Sequence, residues 1–469
     1  MTAALALAAG CSGGPVVAGH PSLTPSLPTS TGTPSAGTRT ASPSAGRPGS
    51  GGPGATSTDW PAYHGDAART GYDPTMPPVH GLSRSWSASL DGAVYASPVV
   101  VGGRVIAATE NNSLYALDAR TGRVLWRTHV GTPVRLSTLP CGDIDPLGIT
   151  GTPVYDPATR RIFAVAEVTG PAHLLVGVNV GTGAIEVHRP VERPGGDPRP
   201  HLQRAALGLG GGRVYVALGG LYGDCGSYIG ALIGVPTSGS GTSLSWTVPT
   251  SREGGIWAPG GPVIDPAGNL YVAIGNGEST SGYDGSDSVT KLTPRLAPAD
   301  FFAPAEWAAD NASDLDLGSA SPALLPGGLV YVNGKSGTGF LLRANALGGV
   351  GGQLARLTTC RSFGANAVLG STVFVPCTDG LRAVRVGPGI RLSITWTGPS
   401  NVDGPPVLGG GVAFTVDTGS GRLYALDVGT GRIRASVDLG PVPHFVSPAL
   451  SGASVYVGTN AGVTAVRAS

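Results

Sequence analysis

The sequence predicts an all-β chain, an eight-bladed β-propeller of four-stranded antiparallel blades whose last blade is closed by an N-terminal strand. Three observations carry that expectation. The first is an internal repeat: Leu114-Tyr115-Ala116-Leu117-Asp118-Ala119-Arg120-Thr121-Gly122-Arg123 returns as Leu423-Tyr424-Ala425-Leu426-Asp427-Val428-Gly429-Thr430-Gly431-Arg432. Near-copies so far apart mark a repeat architecture. The unit alternates as a half-buried strand does, turns at a Thr-Gly pair whose glycine tolerates positive φ, and leaves on a second strand such as Arg123-Val124-Leu125-Trp126.

The second observation is the spacing of x-Pro-Val or equivalent openings. They stand at Ser97-Pro98-Val99, Thr152-Pro153-Val154, Ala205-Ala206-Leu207, Gly261-Pro262-Val263, Ser321-Pro322-Ala323, Asn366-Ala367-Val368, Pro405-Pro406-Val407 and Ser447-Pro448-Ala449. Each leads to a Gly-marked turn and a Val- and Tyr-rich strand, and intervals of roughly 40–60 residues suit one four-stranded blade apiece. The third is the short last unit, which reaches Ser469 after Gly462–Val466 with no outer strand. Leu82–Ser87 has the missing strand's pattern, and pairing the two ends removes an exposed sheet edge.

Composition agrees and sets boundaries. The chain has 469 residues, with Gly 77 and Pro 41, but only 13% charged residues. Residues 12–58 are almost wholly Gly, Pro, Ser, Thr and Ala, without an aromatic residue, and read as a flexible tether. The folded domain is expected over 59–469. A net charge of +1 with no Lys/Arg cluster excludes the electrostatic footprint of a nucleic-acid binder. Lysine stands only at 291 and 335. A monomer is expected.

Residues 1–11 end an apolar run in Ala8-Ala9-Gly10-Cys11, similar to a bacterial lipoprotein signal peptide with cleavage before Cys11 and lipid on its sulfur. The run is far shorter than the roughly 20 apolar residues of a membrane-spanning helix. The expected location is the extracytoplasmic face of the cell membrane, held by the lipid anchor. Outside the cytoplasm the other four cysteines favour disulfides. Cys360 and Cys377 flank the strand Asn366–Val375 and its turn, and are expected to pair. Cys141 and Cys225 lie in long inter-strand loops of different repeats, and pair by elimination.

The repeat, the lead-in Asp59-Trp60-Pro61-Ala62-Tyr63-His64-Gly65-Asp66-Ala67-Ala68-Arg69-Thr70-Gly71 and the eight-unit count together resemble the pyrroloquinoline quinone (PQQ)-like β-propeller family. The resemblance covers 59–469 and implies one of two trades. Quinoprotein dehydrogenases hold PQQ and Ca²⁺ in the central funnel and oxidise alcohols or aldoses. Other members bind proteins or peptides without PQQ, so fold alone does not settle function.

Three segments resemble the quinoprotein pattern. Gly255–Asp265 with Tyr271–Asn276 resembles the calcium-ligand blade, which makes Asn276 the ligand. Asp314–Pro322 resembles the segment of the catalytic base, for which Asp316 is the candidate. Asn333–Gly337 resembles the next strand, which makes Lys335 the quinone contact. Glu167 is the candidate for the glutamate that completes the calcium site. Arg204, at an inner-strand position, suits an anion or quinone contact. A carboxylate would take the hydroxyl proton, a hard cation would polarise the quinone and an ammonium would steady the reduced oxygen.

Against this, no Cys-Cys pair occurs, and no tryptophan holds a repeat position that marks it as the floor under a quinone. His64 reads as a satisfied lead-in residue, while His173, His188 and His201 show no metal spacing. The expected function is therefore a cell-envelope binding or scaffold module for a protein, peptide or glycan. The alternative is a PQQ- and Ca²⁺-dependent dehydrogenase of alcohols or aldoses.

Overall fold

A computed structural model describes residues 58–469. The signal segment 1–11 with Cys11, and the tether up to residue 57, lie outside the described residues. Eight antiparallel blades follow in order: residues 99–129, 154–190, 208–247, 263–303, 323–358, 367–397 and 407–438 form blades 1 to 7, and 449–468 begins blade 8. Each innermost strand starts at or just after one of the eight openings. Leu82–Ser89 pairs antiparallel with Gly462–Ala468 as the outer strand of blade 8, as the terminal patterns predict. The only α-helix among the described residues is Trp307–Ala312, and none there is long and apolar enough to cross a membrane.

The repeated peptide has a mechanical purpose. Asp118 Oδ1 accepts the N–H groups of Arg120 and Thr121, and Asp427 Oδ1 accepts those of Gly429 and Thr430, so the aspartate sets each Thr-Gly turn. The turn glycine then receives an indole from the preceding blade. Trp86, Trp126 and Trp396 donate from Nε1 to Ala119, Val180 and Val428 at 3.1, 3.0 and 2.9 Å. A Cβ on Gly122 would lie 2.6 Å from Trp86. Blade-to-blade packing thus needs a bare turn at the place where the sequence repeats Thr-Gly.

The lead-in crosses the channel and bonds to the inner strands, or to the residues just before them, all around the ring. Trp60 exchanges two hydrogen bonds with Val100, Pro61 O accepts from Tyr155, and Arg69 Nη2 donates 2.7 Å to Leu207 O. Ala67, Thr70 and Gly71 accept from Ile264, Val368 and Leu408, and His64 Nε2 lies 3.2 Å from Ser447 Oγ. One segment thereby reaches blades 1, 2, 3, 4, 6, 7 and 8. Tyr63 packs against Ala206 and Ala365. Gly71 takes φ +65°, and a Cβ there would meet the His64 ring at 2.9 Å.

Both expected disulfides are present, Cys141–Cys225 and Cys360–Cys377. Cys360 lies in the segment entering blade 6 rather than on a strand. That segment bridges Ser362 to Cys377, just past the second strand of the blade.

His64 gives a pH signature. Burial, helped by the Arg69 cation, holds its imidazole neutral down to about 3. The unfolded chain takes up that proton near pH 6.5, so the contribution is intact above 6.5. It is lost as pH falls from there toward 3, at about 1.4 kcal/mol per pH unit. Between pH 7 and 4, the urea midpoint of the wild type should fall more steeply than that of His64→Gln; parallel profiles would refute this origin.

Candidate functional site

A cavity of about 340 Å³ opens at the channel mouth. Arg204, Trp257, Asp316, Phe363 and Phe445 each occupy the segment just before the innermost strand of blades 3, 4, 5, 6 and 8, so ring geometry points them at the axis. Lys335, from the turn after the second strand of blade 5, joins them. Two loops build one wall: Asp143 and Ile144 from the approach to blade 2, and Leu221–Asp224 from blade 3. The Cys141–Cys225 disulfide staples these loops together. A second cavity of about 160 Å³ lies beside the lead-in and is largely apolar.

Asp316 and Lys335, predicted as base and quinone contact, meet in this cavity. Lys335 Nζ lies 2.5 Å from Asp316 Oδ2 and 2.6 Å from Asp314 Oδ1. Asp316 is buried, and its Oδ1 accepts the Asn276 backbone N–H. Burial raises the Asp316 carboxyl above its ordinary value, against the pull of Lys335. For Lys335, burial pulls down, but the two carboxylates outweigh it and the ammonium is pushed up.

Trp257 is the residue that the repeat pattern missed. Its ring lies 5.6 Å from Lys335 Nζ and contacts Phe363 and Phe445 at centroid distances of 6.3 and 6.4 Å. Phe363 and Phe445 stack on each other at 5.6 Å. The three rings come from three different blades. Trp257 sits outside the repeated outer-strand position of Trp86, Trp126 and Trp396, so periodicity gave no signal. Its place just ahead of Gly261-Pro262-Val263 was the available one.

Arg204 lies before the inner strand Gly208–Gly210, not on it. It is 5% exposed, and its guanidinium lies 5.7 Å from the Phe445 ring. Its Nε and Nη2 are buried and have no hydrogen-bond partner among the described residues. Burial draws its pKa down, while Tyr63, Glu110, Tyr95 and Asp143 support the cation. Glu110 is pushed up to about 8 by burial and is mostly neutral at pH 7.

The two expected calcium ligands have separate partners. Asn276 Nδ2 lies 3.4 Å from Glu253 Oε2. Glu167 Oε1 accepts the Gln203 N–H at 3.0 Å and lies 3.4 Å from His173 Nε2, whose Nδ1 is 2.9 Å from Glu192. His173, read from the sequence as a scattered residue, is therefore the partner of Glu167. Burial pulls this imidazole down, but Glu167 and Glu192 outweigh it and push it up to about 10. A carboxylate matched to a buried imidazolium and a backbone N–H is a poor start for an oxygen cage around Ca²⁺. Among the described residues, the one cluster of three His, Cys, Asp or Glu ligands is Cys360, Cys377 and Asp379, and its sulfurs are bonded to each other. The donor set as arranged does not fit calcium. The flat Trp257 ring, Lys335 and Arg204 do offer a planar anion a place.

Residues 83–264 match the family model described as outer membrane protein assembly factor BamB. Over that stretch the chain is similar to PQQ-like propeller repeats. A polyvinylalcohol dehydrogenase from Pseudomonas sp. is 25% identical over 264 residues, which is 51% of this chain and 39% of that protein. The chain thus spans about two-fifths of the curated relative's length. Among solved structures, quinohemoprotein alcohol dehydrogenase from Comamonas testosteroni superposes with a TM-score of 0.68 at 16% identity, covering 88% of this chain and 80% of the other. BamB from Moraxella catarrhalis gives 0.58 at 16% identity, covering 83% of this chain and all of that one. At such identities the likeness is one of fold.

The His173 pair makes a second pH prediction. Its folded pKa is raised, so its contribution is full below pH 6.5 and disappears as pH rises through about 10. His173→Gln should cost about 3–5 kcal/mol at pH 6 by leaving the buried Glu167 carboxylate unmatched. In chemical denaturation the gap from wild type should narrow toward pH 10; a constant gap would show that the imidazole is uncharged.

Proposed function

We propose that this propeller is a binding module of the cell envelope, which takes its ligand at the channel mouth between the stapled loops and the aromatic triad. The observation that carries this reading is the commitment of Glu167 to His173 and the Gln203 N–H, which leaves the expected calcium site without its carboxylate. BamB among the structural neighbours supports a binding role, and so does a cavity whose aromatic wall stands beside Arg204 while Lys335 is already paired with Asp314 and Asp316. One observation favours a second reading, the quinoprotein dehydrogenase: Asp316, Lys335 and Trp257 converge in one cavity.

A titration separates the two. The purified domain is mixed with PQQ and Ca²⁺ and assayed for dye-linked oxidation of an alcohol and aldose panel. The binding-module reading expects no calcium-dependent turnover. Turnover that Asp316→Asn and Lys335→Ala each reduce about 100-fold or more would replace it with the dehydrogenase, since general-base assistance is worth about that much.

The proposed location is the extracytoplasmic face of the membrane, with lipid on Cys11. The two disulfides are at home there. Two acyl chains suffice for stable anchoring, so Cys11→Ala should move the protein from the membrane fraction to the medium. Unchanged fractionation would place the anchor elsewhere.

A further inference from the structure

The turns of the blades sort their charges by the end of the ring on which they fall. In each antiparallel blade, the turns from first to second strand and from third to outer strand lie at one end, here the turn end. The approaches to the innermost strands and the turns from second to third strand lie at the other and build the cavity mouth. Six arginines far apart in sequence meet at the turn end. Arg123, Arg295 and Arg432 stand in turns before outer strands, and Arg391 opens such a strand. Arg343 closes a third strand, and Arg160 lies between a first and a second. They come from six of the eight blades, all are exposed, and none has an ion-pair partner among the described residues.

The carboxylates of that end serve their own turns. Asp118 and Asp427 hold the Thr-Gly turns, and Asp265 accepts the N–H groups of Ala267 and Asn269. Asp156 accepts the Ala158 N–H and the Thr159 hydroxyl, and Glu186 is paired with Arg161 at 2.7 Å. The mouth end is the reverse, with Asp143, Asp145, Glu278 and Asp314 exposed on it. A net charge of +1 thus conceals a ring that is basic at one end and acidic at the other.

Two further features belong to the turn end. The described chain begins there: Asp59 Oδ1 accepts the N–H of Gly102, in the first turn of blade 1, at 2.9 Å, and Trp60 pairs with Val100. The sequence leading back from it to Cys11 holds arginines at 39 and 47 and no acidic residue. Aliphatic side chains also stand beside the cations. Val124 and Ile433, the chain neighbours of Arg123 and Arg432, are 43% and 49% exposed. Guanidinium groups interleaved with exposed aliphatics match a headgroup layer, where charge meets phosphate and alkyl groups reach the acyl boundary.

We propose that the turn end is a membrane-docking face whose partner is anionic phospholipid, and that docking directs the cavity mouth away from the bilayer. This rests on the proposed lipid-anchored location and adds an orientation to it. Lipid on Cys11 brings the ring to the surface, the arginines of the turns hold one end against it, and the acidic mouth is repelled.

The test uses the full chain carrying Cys11→Ala, so that lipid on the cysteine plays no part. It is cosedimented with vesicles of phosphatidylcholine alone or with about 30 mol% phosphatidylglycerol. The anionic vesicles should bind at least about tenfold more tightly, and salt at about 0.5 M should abolish the difference. Arg123→Glu with Arg432→Glu should weaken binding to anionic vesicles at least about tenfold, since each arginine near the surface is worth about fivefold. Arg135→Glu with Arg199→Glu makes the same change in net charge at the mouth end, and should leave binding within about twofold of the parent. Should the first pair fail to fold, Arg295→Glu with Arg343→Glu asks the same question of the same face. Equal binding of the two vesicle types, or equal losses from reversals at the two ends, would overturn the docking face. Failure of the anchor would show separately, as unchanged fractionation of Cys11→Ala in cells, because the vesicle comparison contains no acylated protein.

Discussion

The lead-in segment is the constraint on which the rest of the structure depends. A propeller is a ring of sheets, each touching only its neighbours, and the axis is where such a ring has least to hold it. Here residues 60–71 run across that axis and bond to inner strands, or to the residues before them, in blades on every side. Arg69 is buried to carry one of these bonds, and His64 forgoes its charge to carry another. Ala206 and Ala365, which receive Tyr63, lie two residues beyond Arg204 and Phe363. The floor of the channel and the wall of the cavity are thus successive positions on the same strand approaches.

The cavity divides its electrostatics between two ends. At one, Asp314, Lys335 and Asp316 neutralise one another and anchor the Asn276 backbone. At the other, Arg204 has neighbours that burial keeps neutral. Across the strands of blade 2 the Glu167–His173–Glu192 group is closed on itself. A site with one closed group, one paired end and one idle cation differs in kind from a site whose carboxylates converge on empty space. That difference, more than overall shape, separates the binding reading from the dehydrogenase reading.

Much of the fold was legible because blades repeat. The Leu-Tyr-Ala-Leu-Asp peptide, the eight openings and the unmatched last unit are local patterns, and each maps to a strand, a turn or the ring closure. The disulfides followed from an even number of cysteines and their loops. The order Asn276, Asp316, Lys335 was also readable, and Asp316 meets both, the Asn276 backbone N–H on one oxygen and Lys335 on the other. The partners were not readable. Glu167 looked like a metal ligand because sequence shows a residue's type and place, not the histidine across the hairpin that neutralises it. Trp257 was invisible to periodicity because its position precedes the repeat. The lead-in's bonds reach across hundreds of residues, as from His64 to Ser447, and no local rule anticipates them.

The Cys141–Cys225 link has a consequence for how the loop wall of the cavity is held. It joins a loop between the first two blades to a hairpin of the third, 84 residues apart. The loops it ties also pack against each other through Ile144, Leu147, Leu202 and Leu221, so the bond reinforces an apolar contact. The strands of the ring need no such bond for their ladders. The ladders of the blades and the staple of the mouth are thus separate constraints on one chain.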